Sequence, residues 1–263
     1  MARRRKSDPG PYLLHLELLR DRIEDAGRFP HTLPALRNLT VMKFHPKVTF
    51  FVGENGSGKS TLLESVAVAC GLNPEGGSRN FDFATRASHS DLHGCLRLAR
   101  TLAVAGDSYF LRAESFYNVA TEIERLDTDD PRAYFKPPKL TPAYGGQSLH
   151  EQSHGESFFA LFKNRFRAHG LYLMDEPEAA LSPTRQLQFL ALLHDYVARG
   201  GQFVIATHSP IILAYPDAVI YRLDGDGLSE VAYTATEHYL VTRAFLNNPQ
   251  RALDELLGGS ETR

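Results

Sequence analysis

Residues 53 to 60 read Gly-Glu-Asn-Gly-Ser-Gly-Lys-Ser and meet the spacing G-x-x-x-x-G-K-[ST] at every required position. The apolar run Val48 to Val52 precedes them and a helical spacing of apolar residues follows. Gly53, Gly56 and Gly58 let the backbone curl until several N–H groups, those of Glu54, Asn55 and Ser57 among them, face one anion. The N-terminus of the following helix adds its positive end. In a nucleotide's phosphate site Lys59 would reach the β- and γ-phosphates, Ser60 would give an oxygen to Mg2+, and Thr61 would donate a further hydrogen bond. The bland alternative is a glycine-rich turn that ends by chance in Lys-Ser.

Two further strand ends carry groups of matching chemistry. In Leu171-Tyr-Leu-Met-Asp-Glu176 an apolar strand runs into adjacent carboxylates. Asp175 would hold Mg2+ through water, and Glu176 would orient an attacking water or take its proton. Consecutive side chains at a strand end point different ways, so the two need not compete for one task. Alone, they would read as solvated carboxylates at a turn closed by Pro177. Residues 206 to 210, Ala-Thr-His-Ser-Pro, follow a third apolar strand. His208 there is either an ordinary loop residue or a contact for the γ-phosphate or its attacking water. The second reading follows if all three strand ends meet at the carboxyl edge of one sheet.

The elements needed to bring them together are legible in part. Strands are expected over Tyr12 to Arg20, Leu39 to Phe44, Val48 to Val52, Ser108 to Arg112, Leu171 to Met174 and Phe203 to Ala206, with a hairpin of Val219 to Leu223 and Leu228 to Tyr233. Helices are expected over Lys59 to Cys70, Ser88 to Leu102, Asn118 to Leu126, Glu156 to Ala168 and Pro183 to Ala198, with Glu237 to Leu257 broken near Pro249. Residues 21 to 37 and the Pro/Gly-rich residues 127 to 148 read as loops. Strands alternating with helices predict an α/β fold with a mainly parallel sheet covered on both faces.

Composition narrows the setting. The 263 residues carry 29 Lys and Arg against 31 Asp and Glu, a net charge of −2, which gives no global attraction to nucleic acid or anionic lipid. Arg3 to Lys6 is the one basic run, read as part of a solvated tail over residues 1 to 10. Two cysteines are too few for a disulfide framework, and no apolar stretch reaches 18 residues, so a cytoplasmic chain without membrane insertion is expected.

With Gly53 to Thr61, the run Leu171 to Pro183 and Ile205 to Pro210 in this order, the chain resembles the ATP-binding-cassette ATPase superfamily, and most closely small stand-alone bacterial ATPases of that head type. The resemblance covers residues 12 to 250. It implies a P-loop fold with an antiparallel N-terminal β part, a single domain over residues 1 to 263, and a short helical and loop subdomain over 72 to 157 that carries the family's signature motif. It also implies ATP and Mg2+ as ligands, ATP hydrolysis, and an ATP-sandwich homodimer. Residues 153 to 157, Ser-His-Gly-Glu-Ser, stand where the signature belongs. Ser153 and Gly155 would then grip the γ-phosphate held by a second copy, and Leu181, Ser182 and Pro183 would form the D-loop. Ser153 three residues before Glu156 is equally a capping box at a helix start, and the two readings are compatible. A metal site from His150, Glu151 and His154 lacks a further ligand.

In one place the chain departs from the family pattern. Transporter-type members carry a Gln at a strand end between the phosphate loop and the signature, and this chain has none between Thr61 and Gly146. Glu114, Ser115 and Asn118 are candidates for its place, and Arg37, Asn38 and His45 for adenine contacts. Three functions remain in view: an ATPase that dimerises around ATP and works on a protein partner, a slowly hydrolysing ATP-dependent switch, and the soluble ATPase subunit of a membrane transporter.

Overall fold

The structure is a computed structural model. It describes residues 10–77, 90–113 and 154–258, together with positions 121, 124, 125, 127, 139, 141–144 and 146. The described residues form two sheets. The smaller is antiparallel, with β1 (Leu13–Leu18) between β2 (Val41–Lys43) and β4 (Leu96–Arg100). The larger has six strands in the order β5-β6-β7-β3-β8-β9. In it β5 (Asp107–Arg112), β6 (Gly170–Asp175), β7 (Gln202–Ala206), β3 (Val48–Val52) and β8 (Ala218–Asp224) run parallel, and β9 (Gly227–Glu230) returns antiparallel at the edge.

The central strands are apolar on both sides because each face has its own core. Along β3, Phe50 packs with α2 (His154–Arg165) and α3 (Pro183–Ala198), where Phe158, Phe162, Phe189 and Tyr196 interlock with Tyr172 and Phe203. The next residue, Phe51, points the other way, into a core shared by α1 (Lys59–Ala69) and the antiparallel sheet. That two-residue alternation sets the layers: antiparallel sheet and α1 on one face, α2 and α3 on the other.

A buried amide fastens the two sheets. Gln202 at the start of β7 accepts from the N–H groups of Tyr12 and Leu13, both at 2.8 Å, and donates to the carbonyls of Leu13 at 2.9 Å and His45 at 3.0 Å. All four of its hydrogen-bonding capacities are used.

The segment Ser88 to Leu102 is not the expected helix. Its described part is a 3₁₀ turn over Asp91–Cys95 followed by β4, which pairs with β1. Gly94 interrupts the helical spacing, and beyond it Leu96 is buried while Arg97 and Arg100 are exposed. Residues 72–157 thus supply β4 to one sheet and β5 to the other. The second strand of the hairpin is shorter than expected, because Tyr233–Ala235 form a 3₁₀ turn. The helix predicted from Glu156 starts two residues earlier and ends at Arg165. The C-terminal stretch divides at Pro249 into α5 (Glu237–Asn247) and α6 (Pro249–Leu257), and a short α4 (Pro210–Leu213) follows β7. The basic run at residues 3 to 6 and most of the expected helix 118–126 lie outside the described residues.

Candidate nucleotide site

The phosphate loop spans the turn between β3 and α1. Gly53, Gly56 and Gly58 all have positive φ, at 148°, 80° and 99°. At Gly53 the lack of a side chain is also a matter of space, since a Cβ there would sit 2.2 Å from the carbonyl oxygen of Leu223 on β8. Lys59 is 4% exposed and folds back over the loop, donating to the carbonyls of Gly53 and Glu54 at 2.9 Å each. Burial holds its ammonium below the ordinary lysine pKa, while Glu176, Asp175 and Glu178 draw it back upward. Ser57 Oγ is buried and finds no hydrogen-bond partner among the described residues. Three positive-φ glycines and a buried hydroxyl without a partner among the described residues inside the loop suit a turn that binds an anion.

Parallel pairing of β6, β7 and β3 carries the predicted residues to one edge. Ser60 Oγ donates to Asp175 Oδ1 at 3.0 Å, so the two hard-oxygen donors from α1 and β6 are in register. Glu176 takes a left-handed backbone, φ 51° and ψ 53°, and its N–H donates to Ala206 O at 2.9 Å. The reversal ends the strand, starts a 3₁₀ turn at Pro177, and leaves the Glu176 carboxylate 3.5 Å from His208 Nε2. A non-glycine residue in this region costs on the order of 1 kcal/mol, and here it sits at the edge where the strand ends meet.

Other residues complete the site that the motifs alone do not show. Glu178 accepts from Thr207 Oγ1 at 2.7 Å and from the N–H of His208, locking the turn after β6 to the turn after β7. Burial raises its pKa and these two hydrogen bonds lower it in part. Arg112, the last residue of β5 and the register partner of Asp175, donates to Glu64 on α1 at 2.9 Å and lies 3.8 Å from Asp175 Oδ2. His208 Nδ1 is 3.0 Å from Nε2 of His238 on α5. A charged residue closing an apolar strand was the available signal for Arg112; none marked Glu178 or His238.

The remaining candidates fall as follows. Gly155 lies in the first turn of α2, where a Cβ would be 3.3 Å from Ala180 O, so the start of this helix abuts the turn after β6. Ser182 is exposed and caps α3 by accepting from Arg185 N–H at 3.4 Å. Ser153, Glu114, Ser115, Asn118, His150 and Glu151 lie outside the described residues. His45 stands at the opposite end of β3 from the phosphate loop, bound to Thr49 and near Asp217. Arg37 and Asn38 instead brace the β8–β9 hairpin, Arg37 through Gly225 O at 2.9 Å and Asn38 through the backbone of Leu228. That hairpin walls a cavity of about 660 Å³ beside Gly53 to Ser57, also lined by Pro34, Leu240 and Val241.

A family model described as an AAA domain matches residues 23–132, and a second AAA-domain model, whose description also names the AbiEii toxin of type IV toxin–antitoxin systems, matches residues 144–214. The cytochrome c biogenesis ATP-binding export protein CcmA of Mesorhizobium japonicum is 31% identical over 166 residues, 60% of this chain and 77% of that protein. The cobalt import ATP-binding protein CbiO of Salmonella typhimurium is 24% identical over 214 residues, 76% of each. Among solved structures, a nucleotide-free ATP-binding cassette from an ABC transporter shares the fold with a TM-score of 0.52 at 16% identity, covering 91% of this chain and 97% of that one. The chain belongs to the ATP-binding-cassette family of P-loop ATPases. Among its described residues no helix is long and apolar enough to cross a membrane.

Proposed function

We propose that this chain is a cytoplasmic ATPase that binds ATP with Mg2+, hydrolyses it, and closes around it as a homodimer that acts on a protein partner. The observation that carries the reading is the convergence of Lys59, Ser60, Asp175, Glu176 and His208 at the carboxyl ends of three adjacent parallel strands. Lys59 would move its charge from the loop carbonyls to the terminal phosphates, and the N–H groups of residues 54 to 61 would hold the rest of the triphosphate. Ser60 and Asp175, whose oxygens lie 3.0 Å apart, are the residues that would hold a Mg2+ ion, which would offset the charge of the phosphates. Glu176 accepts the proton of the attacking water, and His208 orients that water or the γ-phosphate from the neighbouring strand end. The cavity beside the loop would take the nucleoside against Pro34, Leu223, Leu240 and Val241.

Closure would use Ser153, Gly155 and Ser182 of the second copy. The exposed position of Ser182 and the closeness of the Gly155 turn to Ala180 support this arrangement. A two-fold dimer then buries two nucleotides, each between one phosphate loop and one signature. The names of the relatives, import and export ATP-binding proteins, favour a transporter subunit as the second reading. The lack of a Gln between Thr61 and Gly146 argues against it, and the net charge of −2 gives no support to a nucleic-acid partner.

Light scattering tests the closure. Glu176→Gln protein should dimerise with ATP and Mg2+ and stay monomeric with ADP, and adding Ser153→Arg should abolish the dimer by steric bulk. A monomer indifferent to ATP, or a dimer indifferent to Ser153→Arg, would remove the signature assignment and leave Ser153 to Ser157 as a capped helix start.

A further inference from the structure

We propose that His238 is a positioning residue for His208: its Nε2–H donates to His208 Nδ1 and so fixes His208 as the tautomer that presents Nε2–H to the reacting edge. The proposal rests on the reading that His208 acts at the γ-phosphate. The two rings stand 5.2 Å apart between centroids, tilted by 56°, with His208 Nδ1 and His238 Nε2 3.0 Å apart.

Only one proton can lie between two facing imidazole nitrogens. If His208 donated it, His208 Nε2 would be a bare lone pair facing the Glu176 carboxylate at 3.5 Å, and it would face a phosphate oxygen equally badly. If His238 donates it, His208 keeps an Nε2–H on the side of those same acceptors, on a buried nitrogen that makes no other hydrogen bond among the described residues. The second arrangement turns two repulsive contacts into attractive ones. The surroundings favour the neutral form of both rings. Burial and the charge of Lys59 depress each of them, against Glu176 for His208 and Glu237 for His238. A neutral ring is what makes the tautomer a meaningful choice, since an imidazolium would carry both protons.

The platform under His238 is built for a fixed position. Thr236 is fully buried; its Oγ1 caps α5 by accepting from Tyr239 N–H at 3.3 Å and donates to Tyr233 O at 2.7 Å. The Tyr233 hydroxyl donates to Pro210 O at 3.0 Å, two residues beyond His208. The turn that leads into α5 is therefore bolted to the turn that carries His208. The same helix presents Leu240 and Val241 to the cavity beside the phosphate loop, so the N-terminal half of α5 meets both His208 and that cavity.

The first test needs no substitution. In protein labelled with ¹⁵N-histidine, two-bond ¹H–¹⁵N correlation spectra distinguish the two tautomers, and the His208 signals are identified by their loss in His208→Gln. The expected result is His208 as the Nε2–H tautomer; an Nδ1–H tautomer in the wild-type chain overturns the proposal. The second test uses a pair of variants. His238→Leu should shift His208 to a tautomer mixture and lower kcat about tenfold with KM for ATP within about twofold. His238→Gln, whose amide nitrogen places a donor where Nε2–H stood, should restore both the tautomer and most of kcat. Equal loss in the Leu and Gln variants would mean that His238 only packs, and an unchanged tautomer in His238→Leu would mean that something else sets it. Wild-type turnover by His208→Gln would instead refute the role of His208, while the wild-type spectrum still decides the contact.

Discussion

Replacing Lys59 by alanine isolates the one charge that the phosphate loop keeps for its ligand. The ammonium is almost fully buried, and among the described residues it donates to the carbonyls of Gly53 and Glu54, two uncharged acceptors at 2.9 Å. Transfer to a phosphate replaces one of these with a charge-assisted bond, a class that contributes roughly 1.5–3 kcal/mol. Lys59→Ala should therefore weaken ATP binding by about 10- to 150-fold. The fold should hardly notice. The exposed residues Glu54 to Gly56 leave the loop open, so water can take over the abandoned carbonyls. Titration calorimetry with ATP and Mg2+ on protein shown to be folded by its thermal transition decides the matter. A folded variant with ATP affinity within twofold of wild type would refute the assignment of the loop.

Other consequences are as specific. Gln202→Leu strands the N–H groups of Tyr12 and Leu13 in a buried place, and at roughly 1–3 kcal/mol for each unsatisfied donor the loss should be about 3 kcal/mol by urea unfolding; a loss under about 1 kcal/mol would show that the sheets are held together otherwise. Gly53→Ala forces a Cβ to within 2.2 Å of Leu223 O and should abolish ATP binding, whereas Gly56→Ala, with nothing within 4 Å, meets only a positive φ and should weaken binding slightly; the same calorimetry ranks the two. The depressed pKa values of His208 and His238 mean that the unfolded chain binds more protons between those values and about 6.5. Their contribution to stability is complete above about pH 6.5 and is lost as pH falls through the depressed folded values, while Glu178, raised by burial, works in the opposite sense. The double variant His208→Gln, His238→Gln should accordingly show a smaller loss of stability from pH 7 to pH 5.5 than the wild-type chain, measured by urea unfolding at each pH.

What the sequence revealed and what it hid follow from the range of the interactions concerned. The phosphate loop, the Asp175–Glu176 pair and His208 were legible because each is a short string whose strand, turn and helix neighbours are adjacent in the chain. The helix Pro183–Ala198 was legible to the residue, with a Ser182 cap and a proline in its first turn. The turn and strand at 91–100 were misread because pairing with β1, some eighty residues earlier in the chain, overrides a short helical spacing (Arg97 lies beside Glu17). Gln202 gave no sign of its task, since its partners Tyr12 and Leu13 are 190 and 189 residues away. Glu178 and His238 were hidden for the same reason, each meeting the β7 turn from about 30 residues off. A buried polar residue declares itself only once the chain that satisfies it is in place.

Phosphate release from ATP by the purified chain, with and without the Glu176 carboxylate, bears most directly on the function proposed. Glu176→Gln keeps the shape and one acceptor next to His208 but removes the base. The account predicts Mg2+-dependent phosphate release by the wild-type chain, a fall of about 10² or more in Glu176→Gln, and ATP affinity in that variant within a few fold of wild type. Turnover at the wild-type rate by Glu176→Gln would contradict it, because the proton of the attacking water would then be taken elsewhere.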